Sequence, residues 1–219
     1  MRIKSFAVLA TALVAGSLAL PTPSDAANST KPVREAYVAK LVPMNVSTTH
    51  HQTMGTARFE MRGDKLTITI AVKDAPPDTV HWQHFHGLTG EMAATCATSA
   101  ADTNGDGIVD LIETEPASGT TMVPFDNTPS AMDVAHGVYP KASSKGTYTY
   151  RKTVSVKALA AAFAKAFDGQ PLDLDKRVVI IHGVPSDTKL PASVQSLGPI
   201  PAQVTIPIAC GKIEKVTHS

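Results

Sequence analysis

Charge of either sign is nearly absent in net terms: the 219 residues sum to +1. Nucleic acid or an anionic membrane surface is held by a surplus of positive charge, so neither is an expected partner. No G-x-S-x-G elbow and no glycine-rich phosphate loop occurs, which leaves serine-nucleophile and phosphoryl chemistry without a carrier. No internal repeat or low-complexity tract is present. Past residue 20 no apolar run is long enough to span a bilayer. Cysteine appears twice, as Cys96 and Cys210, and aromatics make up only 5% of the chain. Val, Ile, Thr and Ala are common, and 16 Pro and 14 Gly are spread throughout. That balance favours short strands and many turns.

The first residues are read apart from the fold. Arg2 and Lys4 precede the apolar run Phe6–Leu20, and Pro21 and Pro23 break it before Ser24-Asp25-Ala26. This is the pattern of a secretory signal peptide over residues 1–26. Residues 27–34 are expected to be a disordered lead-in, and 35–219 a single β-domain. The mature chain is expected to be secreted or periplasmic, with no membrane attachment after cleavage. An oxidising compartment lets Cys96 and Cys210 pair. The alternative is two buried thiols.

Alternation of apolar and polar residues marks strands at Glu35–Val42, Gly55–Arg62 and Lys65–Val72, the last two joined as a hairpin through Gly63-Asp64. Further strands are expected at Val80–Gly87, Gly146–Val156, Lys176–Gly183 and Val204–Val216. In the last, Pro207 marks an edge or a bulge. Lys157–Phe167 carries Leu159, Phe163 and Phe167 four residues apart, the stripe of a short helix. Residues 88–144 lose periodicity and read as a long excursion, of the kind that compact domains keep for function.

Two stretches carry metal chemistry. In Val80–Gly87 (V-H-W-Q-H-F-H-G) a strand puts His84 and His86 on one face and Phe85 on the other. Adjacent imidazoles on a rigid element suit copper, zinc, iron or nickel. The competing reading is hydrogen-bonded structural histidines. Asp102–Glu113 (D-T-N-G-D-G-I-V-D-L-I-E) fits the full twelve-residue calcium-loop pattern. Asp102, Asn104 and Asp106 offer side-chain oxygens, Ile108 its carbonyl, Asp110 a direct or water-mediated contact, and Glu113 two oxygens. Pro116 is expected to stop any helix after Glu113, so this reads as one embedded loop with a structural role, within an insertion spanning about 97–135.

The order of parts resembles the copper/zinc superoxide dismutase family: H-x-x-H-x-H on a strand, a cysteine ten residues on, a late V-V-I-I-H-G, and a terminal A-C-G-K-I. The resemblance covers roughly residues 36–216. It implies an all-β, Greek-key barrel or sandwich of about eight strands. It places His84, His86 and His182 at copper-ligand positions and makes His81 a support beneath the site. It also pairs Cys96 with Cys210 in the disulfide that pins the active-site loop. Three departures stand out. The family's bridging histidine has no counterpart after Cys96, the zinc loop cannot be aligned, and the guiding arginine's position is Pro207. Zinc is therefore not expected, while copper and calcium are. His136, in A-H-G-V-Y-P, is a further candidate for a fourth copper ligand. The chain also resembles the secreted chordin-type domains, which are not known as enzymes.

The functional expectation is an exported copper-binding protein with a structural calcium loop, accompanied by weak redox or dismutase activity. No residue is assigned a catalytic role. The alternative is a non-catalytic secreted β-domain held by calcium and one disulfide.

Overall fold

The structure is a computed structural model that describes residues 34–90 and 92–217. The signal-peptide and lead-in expectations lie outside those residues, apart from Arg34, where the first strand begins. Eight strands form one antiparallel sheet: β1 (Arg34–Pro43), β2 (Met54–Arg62), β3 (Lys65–Lys73), β4 (Gln83–Gly87), β5 (Thr120–Pro124), β6 (Tyr148–Ser155), β7 (Val178–His182) and β8 (Pro207–Lys215). Their order is β5-β4-β7-β8-β1-β2-β3-β6. The sheet curls into a half-barrel, as the all-β expectation required. The connections β3–β4, β5–β6 and β6–β7 each cross between its two halves.

Alternation does what it should on the β1–β3 side. Leu66, Ile68, Ile70 and Val72 of β3 are buried while Lys65 and Lys73 are exposed, and Ala57 and Phe59 of β2 join them in the core. The hairpin turn is Gly63-Asp64, with Arg62 paired to Lys65. Gly63 has φ +58°, which suits a residue without Cβ.

β4 and β7 differ: every residue in both is buried. Val179 and Ile181 face the barrel core, while Val178 and Ile180 belong to a second apolar cluster with Met44, Ala94, Ala97, Val109 and Cys210. A strand covered on both faces reads as a continuous apolar run, which is why V-V-I-I shows no alternation. The cover on the outer face is the excursion itself. It is pinned by the Cys96–Cys210 disulfide (Cα–Cα 5.8 Å).

Several expectations are corrected. The 80–87 strand begins only at Gln83. Before it, Val80 bridges to Lys141 and the His81 amide donates to Pro140 O (2.9 Å), so this segment follows the 139–143 chain instead. Pro116 does not stop the helix after Glu113. Helix α2 (Leu111–Ser118), which follows the single-turn helix α1 (Val46–Thr49), runs through it, because an Asp110–Glu113 capping box secures the first turn and the proline falls in the second. Gly119, at φ 73°, then ends the helix and leads into β5, a strand the irregular T-T-M-V-P concealed. The terminal strand is shorter than expected: Ala202–Thr205 forms one helical turn and β8 starts at Pro207. Pro207 sits at a bulge opposite His182, in a strand interior to the sheet, not at its edge. Helix α3 (Val156–Ala166) forms as expected, with Leu159 and Phe163 buried.

Candidate metal centre

His84 and His86 leave β4 on the face opposite Phe85, and His182 leaves the end of neighbouring β7. Register sets His84 beside Ile180 and His86 beside Val178, so the rings of β4 lie diagonally across from His182. The ring centroids are 6.0 Å apart for His84–His86, and 5.3 Å for both His84–His182 and His86–His182. All three side chains are buried. Among the described residues they form the one group of three or more His, Cys, Asp or Glu whose ligand atoms gather within 4.8 Å.

Hydrogen bonds fix the tautomer of each ring. His86 Nδ1 lies 3.3 Å from Gly119 O and His182 Nδ1 lies 2.8 Å from Thr205 O. A carbonyl only accepts, so both Nδ1 atoms carry the proton. Tyr139 donates its hydroxyl hydrogen to Val134 O (2.8 Å), so its oxygen accepts from His84 Nε2 at 3.0 Å. The three remaining nitrogens, His84 Nδ1, His86 Nε2 and His182 Nε2, are unprotonated. His84 Nδ1 is buried without a partner. The two Nε2 atoms face each other at 3.3 Å, with the Thr121 hydroxyl 3.4 Å from His86 Nε2.

Two lone pairs at that distance repel each other unless something positive lies between them. Two nitrogens each about 2.0–2.1 Å from one ion, near a tetrahedral angle, stand roughly 3.3 Å apart. The donor set therefore fits a metal that accepts imidazole. The pattern of each ring donating its other N–H to a carbonyl or hydroxyl is how ligating histidines are usually held.

Burial is the main influence on the three rings and disfavours the charged form. It pushes His86 down to about 3, with the nearby His182 adding to it and the Gly119 carbonyl opposing it. It pushes His182 down to about 4, opposed by the Thr205 carbonyl. His84 lies well below the usual histidine range, again from burial and then from its two neighbours. All three are neutral, the state that binds metal, across the physiological range.

His81 meets the backbone of the cluster: its Nδ1 is 3.1 Å from His182 O and its Nε2 3.1 Å from Pro76 O, with the ring stacked on Tyr148. His136 is not brought to the cluster. Its side chain is exposed and its Nδ1 meets Asp133 at 2.9 Å. The loop's contribution is instead Tyr139, three residues on, which also stacks on Trp82 with centroids 5.2 Å apart. Tyr139, Gly119 and Thr205 escaped sequence reasoning because two act through backbone carbonyls and the third sits in an aperiodic loop.

The Asp102–Glu113 segment forms a tight loop with Gly105 and Gly107 at positive φ. Its acidic oxygens are engaged within and around it. Asp102 accepts from the amides of Gly105, Asp106 and Gly107 at 2.8–3.1 Å. Glu113 accepts from Thr103 and Asn104 on one oxygen and from the Asp110 amide on the other. The Ser193 hydroxyl donates to Asp106 and the Gln195 amide to Asp110, both at 2.6 Å. The Asn104 side chain accepts from the Asp106 amide (2.9 Å), and Ile108 is buried. Asn45 clamps the loop to the sheet, donating to Val109 O and Pro207 O and accepting from the Val109 amide, all at 2.9 Å.

These features define the chain as an all-β protein whose curled sheet carries a buried three-histidine cluster able to hold a metal. No protein-family model matches the chain, and neither does any curated protein. Among the described residues no helix is long and apolar enough to cross a membrane.

Proposed function

We propose that this chain is an exported copper-binding protein of superoxide dismutase-like fold, with the ion held by His84, His86 and His182. The observation that carries the reading is the convergence of three unprotonated nitrogens, each imposed by a hydrogen bond on the far side of its ring. Copper bound by imidazoles supplies one-electron chemistry. The protein's own part is to keep the rings neutral, fix their direction and exclude water. Fast dismutation is not part of the proposal. The bridging histidine is missing, Pro207 stands at the guiding arginine's position, and His136 lies outside the cluster.

Calcium in the 102–113 loop belongs to the same proposal. What supports it is the complete twelve-residue pattern, the positive-φ glycines and the helix that starts at Asp110. There calcium would order the segment that covers the histidine-bearing strands.

The test is elemental analysis of the exported, untagged protein, together with copper titration of His84→Ala and His182→Ala. Copper near one equivalent in the wild type and its loss in both variants is the expected result. Variants that bind copper like the wild type would leave the alternative, a non-catalytic secreted β-domain held together by calcium and its one disulfide.

A further inference from the structure

The copper reading can be taken a step further, and the step rests on it. We infer that the three-histidine pocket selects monovalent copper and offers the bound ion no exchangeable fourth position.

The first ground is charge. All three donors are neutral, and among the described residues no carboxylate or thiolate gathers with them. The pocket is otherwise lined by Trp82, Leu111, Thr121, Val134, Leu197 and Thr205, and the one ionisable neighbour on the rings, Tyr139, is held neutral because burial pushes its phenol up. The cost of removing an ion from water grows with the square of its charge, so a divalent ion pays about four times the penalty of a monovalent one here. An anionic ligand would offset it, and none is present at the cluster.

The second ground is space. The room open to a water beside His84 and His182 is about 10 Å³. That is the lower limit of what holds a single water, and the ion itself draws on it. Divalent copper prefers a tetragonal set of nitrogen and oxygen donors. Three nitrogens, with only the neutral Thr121 hydroxyl nearby and no space for an incoming donor, leave it under-coordinated, whereas a monovalent ion tolerates three.

The third ground is rigidity. Each ring is tethered through its second nitrogen, to Gly119 O, Thr205 O or Tyr139. Two of the rings stand on a strand whose every residue is buried. The rings cannot swing to build a different coordination geometry. No sulfur takes part, so ligand softness does not explain the preference; charge and coordination number do. A centre of this kind sequesters monovalent copper away from small anions and does not turn them over.

The experiment uses the exported, untagged protein. Monovalent copper is titrated anaerobically against a bicinchoninate chelator, and divalent copper and zinc against an aminocarboxylate chelator. Monovalent copper is expected to bind at least about a hundredfold tighter than divalent copper. At 59 mV per tenfold, that raises the one-electron potential of the bound couple by about 120 mV over the free ion. Azide added to the divalent form is expected to leave its electron paramagnetic resonance spectrum unchanged. Leu111→Ala and, separately, the more exposed Leu197→Ala make room for water, so the preference should narrow and the spectrum should become azide-sensitive. Divalent copper or zinc bound within tenfold of monovalent copper, or an azide-sensitive wild type, overturns the inference while leaving copper binding intact. Equal metal binding by wild type and His84→Ala overturns the copper reading itself, and the inference with it.

Discussion

Tyr139 does for His84 what two backbone carbonyls do for His86 and His182. Its oxygen accepts the Nε2 proton and thereby leaves Nδ1 bare. Tyr139→Phe keeps the ring stacked on Trp82 but removes that acceptor. Copper affinity is expected to fall by about ten- to a hundredfold, the usual result of losing such a partner. The metal-free protein should lose roughly 1–3 kcal/mol, because the buried His84 N–H is left without an acceptor. Competition titration and thermal melting measure the two; equal affinities would refute the role. The histidines also set a pH dependence in the metal-free protein. Their folded pKa values lie below the unfolded value of 6.5. Above pH 6.5 neither state gains a proton on these rings and they impose no pH dependence. As pH falls through 6.5 the unfolded chain takes up protons that the buried rings refuse, so stability drops. The loss continues until His182 titrates near 4 and His86 near 3. Each ring contributes roughly 1.4 kcal/mol per pH unit within that window. Urea midpoints at pH 7 and pH 4.5 should differ accordingly, and the difference should shrink in His182→Ala. A midpoint flat with pH would refute the linkage.

At the scale of elements, the excursion covers the histidine-bearing strands and is fastened at two points in its first half. The disulfide joins Cys96 to the middle of β8, and Asn45 ties Val109 to Pro207. Calcium at a concentration on the order of 1 mM is expected to slow proteolysis of the 97–135 segment and to raise the melting temperature. The same addition to Glu113→Gln should do neither. Wild-type protein indifferent to calcium would remove the ion from the proposal. Elements differed sharply in how readable they were. β1 to β3 alternate because one face is wet, and β7 betrays itself as an unbroken apolar run. β5 did neither: Thr120–Pro124 is short, and its burial comes from packing against β4 and not from its own pattern. Helix α2 was hidden by Pro116, whose cost is borne by a capping box that the same D-x-x-E letters also offered to a calcium reading. His84 and His86 were legible because strand period puts them on one face, while His182 was legible only through the resemblance to the dismutase family. The partners of those histidines were not, since a carbonyl at Gly119 or Thr205 leaves no mark in composition.

At the scale of the whole molecule, the half-barrel has a seam. β5 and β6 are the two ends of the strand order. Side chains close the gap between them. Tyr150 donates to Asp126 O at 2.9 Å just beyond β5, and Tyr148 donates to the Gln83 side-chain oxygen at 3.2 Å at the start of β4. Helix α3, whose apolar stripe is visible in the sequence, fills the rest. It follows β6 directly and packs against β6 and the single turn Pro129–Ala131. Its Phe163 ring meets Phe85 with centroids 6.0 Å apart and sits beneath the buried Arg177 guanidinium at 5.3 Å. Phe85 is the residue between His84 and His86, so the plug in the seam supports the histidine-bearing strand from inside. Phe163→Ala leaves a cavity there and is expected to cost roughly 3–5 kcal/mol of stability. If the inner face holds the outer face in register, copper affinity should fall as well. The shift should exceed any caused by Leu66→Ala, a core truncation on β3 far along the sheet order from β4. Phe163→Leu keeps most of the volume and serves where the alanine variant is too unstable to titrate; it should show the same ranking in reduced size. Lower melting temperatures with unchanged copper affinity in both Phe163 variants would mean that the seam stabilises the barrel without positioning the site. The rigidity of β4 would then come from β7 and the covering loop alone.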